Sequence, residues 1–184
     1  MSQRKEILDI ALKLTLGIEG DYSNDPKDSG GKTRYGITEA KARSWGYQGE
    51  MKDFPLDLAK TIYEVDYWDA IQLDRVSDKS IALALEMFDT GVNCGIHKPV
   101  VFLQRLLNVL NREERDYPDI KVDGIIGSMT LSSLEAFLNK RGKKGEEVLV
   151  SVMNAQQAVF YMELAEKREK DETFVYGWFV NRVL

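Results

Sequence analysis

Apolar residues recur along most of this chain at three- and four-residue steps. Ile7, Leu8, Ile10, Ala11, Leu14 and Ile18 predict an amphipathic helix over about residues 4–18. From Pro55 the same period returns. Leu58, Ile62, Val65 and Trp68 mark one helix, and Ile81, Leu83, Leu85, Met87 and Phe88 mark another. Val101, Leu103, Leu106, Leu107 and Leu110 carry a third, with Pro99 where its first turn would start. The turn Asp123-Gly-Ile-Ile-Gly127 precedes a helix through Leu131, Leu134 and Phe137. Gly142 and Gly145 bracket a basic loop, a long helix follows from about Glu147 to Lys170, and Phe174 to Leu184 is aromatic and apolar.

One stretch breaks this rhythm. Residues 19–38 are dense in Gly, Asp, Asn and Ser, with one Pro, which are residues of turns and short hairpins. Thr38 before Glu39 and Ala40 suits a helix N-cap. The pattern therefore predicts a mainly α chain with one small β-hairpin after the first helix. The softest internal boundary falls near residues 93–99, where Asn, Gly and Pro cluster.

Composition narrows the class. The chain has 184 residues, 43% of them hydrophobic, and 4 prolines, so it is globular rather than disordered. One Cys cannot form an internal disulfide, and one His with one Cys cannot build a zinc cage of those ligands. The balance of 25 basic and 30 acidic side chains gives −5, which lacks the basic bias of a dedicated nucleic-acid binder. The acid is concentrated in residues 51–100, with 9 acidic against 5 basic, whereas residues 1–50 balance at 8 and 8. No run approaches the roughly 18 apolar residues of a membrane span. Asp9 and Lys13 interrupt the first apolar run, so no signal-peptide core is expected, and synthesis in the cytoplasm is.

The chemistry concentrates in the polar stretch. Glu19 closes the first helix and opens the glycine-rich segment. A carboxyl half buried there has its pKa raised and can act as a general acid, the requirement for protonating a glycosidic leaving oxygen. Asp28 and Thr33 follow at nine and five further positions, where a hairpin folded back over the helix end would let both hold a water facing Glu19. The same residues also suit a solvated helix end and ordinary turn formers. Gly30-Gly31-Lys32-Thr33 mimics the end of a P-loop, but Pro26 stands where the earlier glycine is needed. Asp21, Ser23 and Asp25 start like a calcium loop, but Pro26 and Lys32 replace its glycine and its last glutamate.

Glu19-Gly-Asp-Tyr-Ser-Asn-Asp-Pro-Lys-Asp-Ser-Gly-Gly-Lys-Thr-Arg-Tyr-Gly-Ile-Thr38 closely resembles the signature of the glycoside hydrolase family 108 muramidases, lysozyme-like enzymes of phages and bacterial secretion loci. That pattern reads roughly E-G-G-Y-x-N-D-P-x-D-x-G-G-x-T-x-x-G-I-T, and the chain departs from it at Asp21, which stands where glycine is usual. Tyr67-Trp68 and Asp89 to Gly95 resemble the later part of the same domain. Asp123 to Thr130, with Gly177-Trp178, resembles the peptidoglycan-binding domain that follows it. The resemblance implies a lysozyme-like catalytic domain over 1–95 and a helical peptidoglycan-binding domain over 96–184. It implies Glu19 as catalytic acid. A looser similarity to phage lysozymes, which have one more residue between the last two members, implies that Asp28 and Thr33 position the hydrolytic water. Neither a metal nor an organic cofactor is implied.

The expected partner is the peptidoglycan glycan strand, reached through a holin-like pore, another export route or lysis, with no nucleic acid and no stable membrane insertion. Tyr22, Asn24, Tyr35, Tyr67, Trp68 and Asn93 are the candidate substrate contacts. Trp68 equally suits core burial, Asn93 equally suits a helix cap, and Trp178 and the Asp123 turn favour structural roles. Cys94 and His97, three apart, read as a buried thiol and an incidental imidazole rather than a peptidase pair. Three alternatives stay open: a lytic transglycosylase, a non-catalytic wall-binding or secretion-accessory module, and a Cys94-dependent peptidase.

Overall fold

A computed structural model of the protein describes residues 3–16 and 31–183. The chain forms two compact units that divide between Asp69 and Ala70.

The first unit opens with α1 (Gln3–Leu16). Its buried stripe is Ile7, Leu8, Ala11 and Leu12, whereas Ile10 and Leu14 are exposed at 45% and 67%. At roughly 100° per residue the four buried positions span one face, and Ile10 and Leu14 fall beyond its edge. The expected three-and-four pattern thus finds the helix but rotates its inner face.

Strands β1 (Thr33–Arg34) and β2 (Ile37–Thr38) pair antiparallel, with Thr33 opposite Thr38 and Arg34 opposite Ile37. This is the small hairpin that the turn residues predict. Tyr35 and Gly36 between them have φ of 52° and 73°. Two consecutive positive φ values are the signature of the turn whose twist matches a two-residue hairpin, and glycine takes one of them without strain. Ile37 is buried and anchors the strand. Thr38 then caps α2 (Glu39–Ser44), its hydroxyl accepting from the Lys41 amide at 3.3 Å.

Pro55 precedes α3 (Leu56–Tyr63), which buries Ala59, Ile62 and Tyr63. The expected helix through Trp68 does not stay α-helical. Residues Glu64–Trp68 form a wider π turn, followed by the tight turn Asp69–Ile71. The extra residue in a π turn shifts the side-chain register. Val65 is exposed and Trp68 fully buried. Arg4 on α1 clasps this turn, pairing with Glu64 at 2.5 Å and Asp69 at 2.7 Å.

The second unit consists of helices. They are α4 (Leu73–Ser77), α5 (Ile81–Cys94), α6 (His97–Leu110), α7 (Ser128–Lys167) and α8 (Glu172–Arg182). α5 packs on α4, α6 and α7, and α7 also packs on α6 and α8. Leu83, Ala84, Met87 and Phe88 of α5 are completely buried, as are Leu103, Leu107, Leu134, Leu149 and Met153. Ser80 caps α5 through the Leu83 amide at 3.0 Å.

Within α7, Gly142 adopts φ 56° and ψ −149° and splits the element. Gly145, expected in the same loop, is instead buried inside the helix that resumes. The Asp123 turn also differs from a simple cap. The Asp123 carboxylate accepts from its own loop, at the Ile125 amide (3.0 Å), and from Gln104 Nε2 on α6 (2.9 Å). Buried Gln104 returns the bond by accepting from the Asp123 and Gly124 amides. The loop is thereby pinned to α6, and Gly127 stands at the N-cap of α7 without a side-chain cap.

Candidate active site

Glu19, Tyr22, Asn24 and Asp28 lie outside the described residues. What the structure describes is the arm that carries Thr33 and Tyr35, together with the elements beneath it.

Thr33 sits in β1, its hydroxyl donating to the Gly31 carbonyl at 3.2 Å. Tyr35, at the hairpin tip, is half buried under the Arg34 guanidinium, 5.0 Å from the ring centroid. Its carbonyl accepts from the Tyr63 hydroxyl at 3.1 Å. Tyr63 on α3 in turn packs against Tyr67, ring centroids 5.4 Å apart. The structure thus links Tyr35 and Tyr67 through a residue that the motif did not single out. Lys41 lies over the Tyr67 ring at 5.9 Å, within cation–π range.

A second missed group flanks this row. Asp66 Oδ2 accepts from Lys41 Nζ at 2.8 Å and from Trp45 Nε1 at 2.9 Å. Burial alone would raise the Asp66 carboxyl, but the Lys41 and Trp45 hydrogen bonds outweigh it and hold the carboxyl below its ordinary value. The same Lys41–Asp66 bond raises the lysine. The Lys41–Asp66 ion pair places no net charge beside Tyr67. Arg34 Nε is buried with no hydrogen-bond partner among the described residues.

Trp68 belongs to the core rather than the surface. It is 0% exposed, so neither face of the indole is open to a sugar ring. Asn93 lies in the last turn of α5 and not in a loop. Its amide donates to the Asp89 carbonyl at 2.8 Å and carboxylate at 3.1 Å, which commits both donors within the helix.

Asp89 belongs to a polar cluster in the second unit. It accepts from Arg182 of α8 at 3.1 Å. Glu86, one turn earlier, lies 3.3 Å from the Thr90 hydroxyl and accepts from Asn154 of α7 at 3.0 Å. Thr90 donates to Gln157 at 3.0 Å, and Gln157 to the Tyr161 hydroxyl at 2.8 Å. Burial, assisted by the nearby Asp89 charge, pushes the Glu86 carboxyl up to about 7. A carboxyl so shifted is also what a general acid needs, but both Glu86 oxygens are already engaged, one with Asn154 of α7 and one with Thr90 of its own helix. The i, i+3 spacing of Glu86 and Asp89 was visible in the sequence, whereas their partners on α7 and α8 were not.

Cys94 is half buried and hydrogen-bonded to Tyr161, and burial pushes its thiol up to about 12. His97 is packed over Gly124, where a Cβ would meet the ring at 2.0 Å. Trp178 stacks on Tyr161 with centroids 5.3 Å apart. Among the described residues, no cluster of three or more His, Cys, Asp or Glu is arranged to hold a metal ion. No helix among them is long and apolar enough to cross a membrane.

Comparison with known proteins gives these elements a family. Residues 12–95 match the family model for glycosyl hydrolase 108, and residues 98–183 match that for a predicted peptidoglycan domain. Among solved structures, "Structure of Brucella abortus SagA" aligns with a TM-score of 0.67 at 22% identity, covering 95% of this chain and 88% of that one. At that identity the likeness speaks for the fold, which is the mainly α, lysozyme-like class expected from the sequence. A search of curated proteins found no match. Residues 12–95 and 98–183 thus carry matches to glycosyl hydrolase 108 and to a predicted peptidoglycan domain, the pairing of a peptidoglycan-related hydrolase.

Proposed function

We propose that this protein is an N-acetylmuramidase, hydrolysing the β-1,4 bond between N-acetylmuramic acid and N-acetylglucosamine in peptidoglycan. The observation that carries this reading is the Glu19–Thr38 signature lying inside a glycosyl hydrolase 108 match. Glu19 donates a proton to the leaving oxygen as the glycosidic bond breaks. A water held by Asp28 and Thr33 attacks the anomeric carbon from the other side, giving inversion. Tyr22, Asn24, Tyr35 and Tyr67 contact the glycan, the two described tyrosines being tied together through Tyr63. We assign catalysis to residues 1–95 and wall recognition to residues 96–184. The enzyme acts on the wall, reached through a holin-like pore or another export route.

Glu19→Gln assayed on purified sacculi beside wild type tests the mechanism. Loss of a general acid lowers turnover by roughly 10²–10⁴. A variant that clears sacculi at the wild-type rate overturns the assignment. Mass spectrometry of the products separates hydrolysis from transglycosylation: reducing muramic ends support the reading, and 1,6-anhydro ends refute it.

A further inference from the structure

The wall-recognition half carries a pocket that the hydrolytic reading leaves unused. A cavity of about 580 Å³ opens where α6 ends and α7 breaks. That volume is in the range of small-ligand sites. Its apolar wall is Leu110, Phe137 and Val148, and its rim is Lys140, Arg141 and Lys144. Gly145 forms part of the floor, where a Cβ would lie 2.4 Å from that of Arg141 and 3.0 Å from the Phe137 ring. The absent side chain at 145 is thus what lets arginine and phenylalanine close over the same spot.

The charge is the informative part. Three cations face one cavity in a chain whose net charge is −5. Lys144 lies in the first turn after the break, where the helix dipole disfavours positive charge. Lys144 is matched by exposed Glu147 at 3.0 Å, and Lys140 by the largely buried Asp116 carboxylate at 3.4 Å. Arg141, exposed at the mouth, has no carboxylate partner among the described residues. A guanidinium fork is suited to a bidentate carboxylate, and the apolar wall beside it to a short aliphatic chain.

Resting on the peptidoglycan reading above, we propose that this pocket is a stem-peptide subsite. Arg141, with Lys140 and Lys144, holds a free carboxylate of a peptidoglycan stem, and Leu110, Phe137 and Val148 take the aliphatic part of the same residue. Peptide stems supply both chemistries in one unit, and in the stem-bearing wall the lactyl carboxyl of each muramic acid is tied up as the amide to the stem, so the free carboxylates lie on the stems.

The test uses the full chain carrying Arg141→Gln with Lys144→Gln, two exposed positions. Binding is followed by sedimentation with intact sacculi and with sacculi stripped of stems by an amidase, their newly freed lactyl carboxylates then blocked by amidation. Two exposed charge-assisted contacts predict about fivefold weaker binding of the variant to intact sacculi. They also predict equal binding of variant and wild type to stripped sacculi, and partial recovery in Arg141→Lys. Wild-type affinity of the double variant for intact sacculi overturns the subsite while leaving the muramidase reading in place. An equal loss on stripped sacculi also overturns it, because the cations would then read glycan or bulk charge. If wild type neither binds nor cleaves sacculi, both readings fall together.

Discussion

Glu86 gives the protein a stability that depends on pH in a calculable way. Its carboxyl sits at an ordinary 4.5 when unfolded and at about 7 in the fold, because burial and the Asp89 charge disfavour the anion. Between those pH values the folded state holds more protons than the unfolded one, so stability falls as the pH rises from about 4.5 through 7. At about 1.4 kcal/mol per pH unit, the rise bounds the penalty at about 3 kcal/mol above pH 7. Half of that is a realistic yield once the cluster of Asp89, Thr90, Asn154 and Gln157 relaxes. Glu86→Gln removes the charge and keeps the shape. Its carbonyl still accepts from Asn154, and its NH₂ can donate to the Thr90 hydroxyl, which continues to donate to Gln157. The variant is expected to exceed wild type by about 1–2 kcal/mol at pH 8, a midpoint rise of roughly 3–6 °C, and to gain nothing at pH 4. Denaturant melts of both proteins from pH 4 to 8 measure this. A gain that is constant with pH, or a loss at pH 8, would refute the argument that burial of the anion is what raises Glu86.

Other outcomes follow from single residues. Cys94→Ser should clear sacculi at the wild-type rate, since a thiol near 12 supplies almost no thiolate at neutral pH; a dead but folded variant would restore the peptidase alternative. Thr38→Ala should cost about 1 kcal/mol and speed amide exchange at Lys41, whose N–H the cap holds; unchanged exchange there would mean the cap is inert. Gly142→Ala should destabilise the helical unit by about 1–3 kcal/mol, because φ 56° with ψ −149° is a region that side-chain-bearing residues avoid; an unchanged melting midpoint would show that the break relaxes freely.

Features governed by neighbouring residues could be read directly from the sequence. The hairpin follows from a glycine-rich turn between β-compatible residues, and the Thr38 cap follows from a hydroxyl placed before a helical run. The helices follow from periodicity, although α1 turns its inner face toward Leu12, and the run through Trp68 widens into a π turn. Features that depend on distant approach stayed hidden. Tyr63 reads as an ordinary core aromatic until α3 brings its hydroxyl to the Tyr35 carbonyl. Asn93 reads as a loop amide until α5 extends to Cys94 and turns that amide onto Asp89. The Arg141 pocket needs the helix break as well as the basic run, and only the run is written locally. Of the proposed catalytic trio, Thr33 alone falls among the described residues, so Glu19 and Asp28 rest on the motif.

The position of α5 has a practical consequence for anyone dissecting this chain. By family, residues 81–94 belong to the hydrolase, whose match ends at 95. By packing they belong to the helical unit, where Leu83, Ala84, Met87 and Phe88 are sealed against solvent. A gene cut after residue 95 would leave an apolar stripe on one fragment and an empty slot in the other. Such halves should aggregate when expressed apart and recover when co-expressed, as split-protein reporters do. Exchange of C-terminal modules between relatives would then be productive only when α5 travels with the helices that enclose it.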